Sequence, residues 1–280
     1  MKKVKVKIPA KINLTLDIEG VRDGYHVLES LVASVNIYDT VTIAARKENV
    51  ISVTFSGIPA GVSGKNSNAY FAAEKFRKEF STDGVDITIE RGIPIESGLG
   101  GSSADIAGVL NGMQKLFRVG RDISHIADSL GSDVTYMLGG GYAVMRNRGE
   151  QVERLSGIKR KFYLIIVTAT GGISTADCYR EFDKKGKKYK KNTPIATKLL
   201  VEDDTENFLK TLKNDLFESA ATLFPEIKET LSRLKNYGAA VMTGSGSAVY
   251  GVYTTKKARD LAYKALLPDF GARLLKAETL

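Results

Sequence analysis

The chain has 280 residues, 43% hydrophobic and 26% charged, with a net charge of +9. This length suits two domains with real cores, and the balance is that of an ordinary soluble protein. One cysteine, Cys178, and two histidines, His26 and His125, exclude an internal disulfide framework and a structural zinc site, and fit a reducing, cytoplasmic setting.

At the N-terminus, "MKKVKVKIPAKINLTLDIEG" alternates Lys with Val. That is strand periodicity, not the apolar run of a signal peptide, and no later stretch approaches the roughly 20 apolar residues of a membrane helix. Strands are expected over 4–19, 34–45 and 50–58. Apolar residues at helical spacing predict a helix over 68–80, ending near Ser81. "VDITIE" (85–90) is a strand by β-branching and alternation. A glycine-rich segment follows and leads into a helix from about Ser103 to Leu116. A short helix is expected over 122–130, with Asp122 as its N-cap.

Residues 139–155 read as a hairpin and 162–169 as a buried strand. Helices are expected at 174–182, 205–220 and 225–236. Residues 239–254 read as two strands around a glycine turn, followed by a helix at 256–266 and a strand at 272–278. Strands and helices mix without a strict βαβα repeat, which predicts an α+β fold with mixed sheets. The expected domain boundary lies near residue 155. "KKGKKYKK" (184–191) holds six lysines in eight positions. Its readings are a solvated loop, an RNA-binding patch, or a device that steers an anionic substrate.

The segment "IPIESGLGGSSADIAGVL" (93–110) carries the chemistry. Glycines let backbone N–H groups approach an anion, and the free N–H groups and dipole of a helix start favour a phosphate chain. The segment matches neither GxxxxGK[ST] nor GxGxxG. Its pattern of Pro94, Gly98, Leu99, Gly100, Gly101, Ser102, Ser103 and Ala104 resembles a motif of the GHMP kinase superfamily. A second glycine motif of that superfamily is matched by "MTGSGSAVYGVY" (242–253), with Gly244, Ser245 and Gly246.

The start, "IPAKINLTLDIEGVRDGYHVLESL" (8–31), is similar to that of the 4-diphosphocytidyl-2-C-methyl-D-erythritol kinase family within this superfamily. Further similar stretches are 130–150, 171–183 and 212–220. The resemblance implies a two-domain α+β GHMP kinase fold. Residues 1–155 would form a ribosomal protein S5 domain 2-like N-terminal domain that binds ATP, and 156–280 a ferredoxin-like C-terminal domain. It implies ATP as co-substrate, Mg2+, and an acceptor alcohol bearing a cytidine diphosphate, phosphorylated on its 2-hydroxyl in the non-mevalonate isoprenoid pathway. The enzyme would be cytoplasmic, a monomer or homodimer, with no membrane or nucleic-acid partner.

Kinases position groups and neutralise charge. Lys11 is a fixed cation suited to the γ-phosphoryl and the acceptor hydroxyl, and Asp133 suits acceptance of the hydroxyl proton. The resemblance gives both as catalytic. It implies ATP contacts from Asn68, Pro94, Gly98, Leu99, Gly100, Gly101, Ser102 and Ser103, with Ser102 or Ser103 at the metal. Tyr25, His26 and Tyr179 would hold the cytosine, and Asn13, Asn214, Gly244 and Ser245 match positions near substrate. Two departures stand out. The serine pair is shifted by one position, and the usual Asp-Val-Pro-Phe is Asp-Val-Thr-Tyr (133–136). The alternatives are a divergent GHMP kinase of another small alcohol and, in a different class, a basic nucleic-acid-binding protein.

Overall fold

The computed structural model describes residues 2–58, 64–185 and 191–280, so most of the lysine run, 186–190, lies outside the described residues. Strands β1 (Lys3–Asn13), β2 (Thr15–Arg22), β3 (Tyr25–Ala45) and β4 (Ile51–Gly57) come first. Next are α1 (Asn68–Phe80), β5 (Val85–Arg91), α2 (Gly101–Phe117), α3 (Ser124–Asp128) and α4 (Val134–Met137). Then follow β6 (Tyr142–Asn147), β7 (Gln151–Arg154), β8 (Tyr163–Val167), α5 (Thr175–Lys184), α6 (Thr193–Val201) and α7 (Thr205–Lys210). The chain ends with β9 (Lys213–Asn214), α8 (Phe217–Leu223), α9 (Glu226–Lys235), β10 (Ala239–Met242), β11 (Val249–Tyr253), α10 (Lys256–Phe270) and β12 (Leu274–Glu278).

Contacts group the chain into two compact units. One comprises Met1–Ala10, Ile37–Ile95 and Gly100–Gly140; the other comprises Lys11–Asn36, Glu96–Leu99 and Gly141–Leu280. In the first, β5 pairs antiparallel with the end of β3, Thr40 facing Glu90, and parallel with β4. Helix α1 begins where Ser67 Oγ accepts from Tyr70 N at 3.2 Å, an N-cap of the usual kind. It buries Ala69, Ala72, Ala73 and Phe76, the i, i+3, i+4, i+7 stripe of its sequence. Helix α2 lies close to the strands because of Gly108. A Cβ there would sit 2.4 Å from Val41 Cγ2, closer than any real contact.

In the second unit β3 lies between β2 and β6, antiparallel to both, and β9 adds parallel to β2. A separate antiparallel sheet has the order β10-β11-β8-β12. With helices between β8 and β10 and between β11 and β12, that order is ferredoxin-like. Its core joins Ile165 and Val167 of β8 to Cys178, Ala220, Leu231 and Leu266 from four helices. Burial pushes the Cys178 thiol up to about 11, so it packs as an inert apolar group.

Three expectations need correction. The strand expected over 4–19 breaks at Leu14, where Thr15 O accepts from the Ser30 hydroxyl at 2.5 Å. The helix expected over 122–130 is shorter, and Asp122 Oδ1 accepts from Ser124 N at 3.1 Å ahead of it. The single helix expected over 205–220 is α7, β9 and α8. Pairing of β9 with β2 overrides the helical propensity there.

Candidate active site

Strand β1 carries Lys11 and Asn13 on one face, both only 4% exposed. Lys11 Nζ donates to Asn13 Oδ1 at 2.7 Å. The same oxygen accepts from Gly244 N at 2.9 Å, while Asn13 Nδ2 donates to Ser30 Oγ at 2.7 Å. Asn13 N donates to Thr243 Oγ1 at 3.1 Å, and Tyr250 Oη donates to Asn13 O at 2.7 Å. Every polar atom of Asn13 is therefore engaged, and the side chain cannot turn. Asn214 steadies the other side of the late glycine turn by donating to Met242 O and Gly244 O, at 2.9 and 2.8 Å.

This cluster also holds the first part of the early glycine loop. Lys11 N donates to Leu99 O at 3.0 Å, and Ala248 N donates to Ser97 O at 3.0 Å. The two glycine motifs meet at Gly98. Its φ is +76°, and a Cβ would lie 2.2 Å from Thr243 O, so both the conformation and the close approach require glycine. Ser245, 9% exposed, has its Oγ 2.9 Å from Thr175 Oγ1.

In the other unit, Gly100 precedes α2 and no side chain caps that helix. The first-turn N–H groups from Gly101 onward have no intrahelical acceptor. Asn68 Nδ2 donates to Ser102 Oγ at 2.7 Å, so two of the expected ATP residues meet. Pro94 and its approach are fixed from behind. Asp39 Oδ1 accepts from Gly92 N and Ile93 N at 2.8 and 2.9 Å, and Arg91 donates to Asp105 Oδ2 through Nε and Nη2 at 3.0 and 2.7 Å. Burial raises the Asp39 carboxyl and pushes Asp105 up to about 6, against the pull of Arg91. Asp133 is the residue ahead of α4, and its carbonyl accepts from Met137 N at 3.0 Å.

Tyr25 and His26 open β3. Tyr25 is 52% exposed, with the Arg148 guanidinium over its ring at 3.7 Å. His26 stacks on Tyr179 of α5, with ring centroids 4.6 Å apart. Its Nε2 lies 2.9 Å from Asp183 Oδ1.

Residues 67–143 match the model of the GHMP kinases N terminal domain, and residues 196–273 that of the GHMP kinases C terminal. A 4-diphosphocytidyl-2-C-methyl-D-erythritol kinase of Clostridium tetani is 33% identical, over 94% of this chain and 95% of its own length. One from Desulfitobacterium hafniense is 36% identical, over 89% of this chain and 86% of its own. A crystal structure of 4-(cytidine 5'-diphospho)-2C-methyl-D-erythritol kinase superposes with a TM-score of 0.81 at 28% identity, covering 99% of both chains. The chain belongs to the 4-diphosphocytidyl-2-C-methyl-D-erythritol kinase family of the GHMP kinases.

The α+β fold with GHMP N- and C-terminal domains is thus the fold the sequence implied. Within the 4-diphosphocytidyl-2-C-methyl-D-erythritol kinase family frame, the structure gathers Lys11, Asn13, Gly98, Leu99, Gly244 and Asn214 into one cluster. It pairs Asn68 with Ser102, and His26 with Tyr179. Sequence reasoning missed Thr243, which links the two glycine motifs, although it stands next to Gly244 in the quoted motif. It also missed Asp183, whose only signal is its position one helical turn after Tyr179 in "GGISTADCYREFD". Arg148 lies within the similar stretch 130–150, and its sequence neighbours carry no signal of its place over Tyr25.

Proposed function

We propose that this chain transfers the γ-phosphoryl group of ATP to the 2-hydroxyl of 4-diphosphocytidyl-2-C-methyl-D-erythritol, in the methylerythritol phosphate route to isoprenoids. The observation that carries this reading is the likeness, over about nine tenths of the chain, to kinases of that name. The meeting of the two glycine motifs at Gly98 and Thr243 supports it, since each motif alone would be a turn.

Phosphoryl transfer asks a protein mainly for position and charge. In this reading the uncapped N-terminus of α2 receives the ATP phosphates, with Asn68 and Ser102 beside it. Lys11, held by Asn13, is the cation at the transferring group, and Asp133 accepts the acceptor's hydroxyl proton. Tyr25, His26 and Tyr179 hold the base; Asn13, Gly244 and Ser245 border the acceptor. Among the described residues no group of three His, Cys, Asp or Glu side chains is arranged to hold a metal ion. That fits Mg2+ arriving with the nucleotide, since Mg2+ takes phosphate oxygens and waters with only one or two protein groups. In this chain the protein group would be the hydroxyl of Ser102 or Ser103, and bound Mg2+ would neutralise phosphate charge. No described helix is long and apolar enough to cross a membrane. The reading is of a cytoplasmic monomer or homodimer with no nucleic-acid partner.

The test is an ADP-release assay with Mg2+ and a panel of alcohols: the cytidylated methylerythritol, methylerythritol phosphate, mevalonate and homoserine. Turnover confined to the first is expected. Equal turnover of a bare alcohol would replace this reading by that of another GHMP kinase. Asp133→Ala is expected to lower turnover by about a hundredfold or more, the scale of a general acid–base group. Near wild-type turnover would remove Asp133 from the mechanism.

A further inference from the structure

We infer that Asp183 is a positioning residue that fixes the tautomer of His26 and so selects cytosine over uracil in the acceptor. The inference rests on the reading above, in which His26 faces the base.

Asp183 and His26 are 157 residues apart in sequence, yet the Asp183 carboxylate lies 2.9 Å from His26 Nε2. The same helix supplies two further contacts to the imidazole. Tyr179, one turn before Asp183, stacks on it at 4.6 Å, and Phe182 meets it edge-on at 6.0 Å. The His26 side chain is 15% exposed while that of Asp183 is 44% exposed. One turn of α5 therefore fixes both the plane of the ring and the partner of one nitrogen.

The chemistry follows from what each group can do. An ionised carboxylate only accepts hydrogen bonds, so Nε2 carries the proton in this contact. In a neutral imidazole the other nitrogen, Nδ1, is then an acceptor. Cytosine offers its exocyclic amino group as a donor on the edge where uracil, like thymine, offers a carbonyl oxygen. An Nδ1 acceptor pairs with the first and sets two lone pairs against each other with the second. A site built to bond one polar group rejects the analogue that lacks it. Removing Asp183 frees the proton to move to Nδ1, where it would donate to a carbonyl oxygen, and the distinction between the bases weakens.

The test uses the full-length enzyme and two acceptors that differ only in cytidine or uridine. Wild type is expected to prefer cytidine. Asp183→Ala should reduce the ratio of kcat/KM values roughly tenfold, about the worth of one hydrogen bond between partly buried groups, with the change mainly in KM. Asp183→Asn, whose amide oxygen still accepts, should restore part of the preference. The double variant His26→Ala/Asp183→Ala should be no worse than His26→Ala, because Asp183 acts through His26. Nitrogen-15 NMR of the histidine rings supplies a readout that a purely structural role would not move. The Nε2–H tautomer is expected in wild type and a mixture in Asp183→Ala.

An Nδ1–H tautomer in wild type would overturn the proposal. So would an unchanged cytidine preference in Asp183→Ala when His26→Ala has lost it. If His26→Ala keeps the preference, the base-pocket reading fails and base selection through Asp183 with it. Should Asp183→Ala not fold, Asp183→Asn and the wild-type spectrum still decide the matter.

Discussion

The Asn13 cluster and the Tyr25–His26 start of β3 belong to the same unit, on neighbouring stretches of chain, and are built in opposite ways. Around Asn13 the groups are buried and saturated with hydrogen bonds: Lys11 and Asn13 are 4% exposed, Tyr250 is fully buried, and Gly98 has no room for a methyl group. At the start of β3 Tyr25 is 52% exposed, and the histidine is held by a half-exposed carboxylate. In the proposed function, chemistry that fails on misplacement by about 1 Å would be set in this rigid matrix. Recognition of the acceptor's nucleotide, which must enter and leave, would be set at the rim. The lesson is that damage to the first region should appear in kcat and in stability together, and damage to the second in KM alone.

Lys11→Ala tests the first half most severely. If Lys11 is the cation at the transferring group, as proposed, its loss should reduce kcat by about 100- to 1000-fold. The acceptor KM should change far less. A rise in KM with kcat unchanged would move Lys11 from the reacting group to substrate binding and dissolve the contrast.

Gly98→Val comes next. The added Cβ meets the Thr243 carbonyl, which is backbone and cannot swing away, and φ of +76° disfavours a β-branched residue. Destabilisation of about 2–4 kcal/mol is expected, read as a lower Tm together with lost turnover. A variant that keeps its Tm but loses ATP binding would mean that the loop can be rearranged without unfolding, and that the cluster is less rigid than its hydrogen bonds imply.

These regions were legible in the sequence to different degrees, for a physical reason. Glycine at a forced close approach has no substitute, so Gly98 and Gly244 are legible as motifs although no local pattern encodes the Thr243 contact between them. Helix α1 is legible over its full length because Ala69, Ala72, Ala73 and Phe76 repeat its period. The course of 205–220 is not legible in its own residues because it is decided elsewhere. Asn214 donates to carbonyls 28 and 30 residues further on, and no local pattern encodes that. Helix α6 follows the lysine run without a capping side chain and carries proline in its first turn, so its start has only one of the usual signals. Asp183 was invisible for the reason that makes it informative: a carboxylate on an exposed helix face is ordinary until its partner is seen.

Tyr25→Ala tests the second half of the comparison. Loss of one ring that stacks on a base removes about 1–3 kcal/mol, so the acceptor KM should rise between about five- and a hundredfold. Tm and the KM for ATP should stay near wild type, since the ring is half in solvent and belongs to no core. A fall in Tm comparable to that of Gly98→Val would show that this end of β3 is a structural element and not a rim.

The smallest effect is expected from Arg148→Ala, and its sign is the informative part. The Arg148 guanidinium lies 3.7 Å from the Tyr25 ring centroid, so it covers one face of the ring that a base needs for stacking. At an exposed site such a cation–π contact is worth about 0.5–1 kcal/mol. If the base takes that face, binding must first displace the guanidinium, and removing Arg148 should lower the acceptor KM by about two- to fivefold. Folding stability should change by no more than the value of the contact itself, because Arg148 stands in the turn between β6 and β7 and not in the core. The opposite result, a KM raised tenfold or more, would mean that Arg148 follows the substrate and not the ring. A cation beside the base would then be a partner for the diphosphate of the acceptor, and the rim would carry charge recognition as well as stacking.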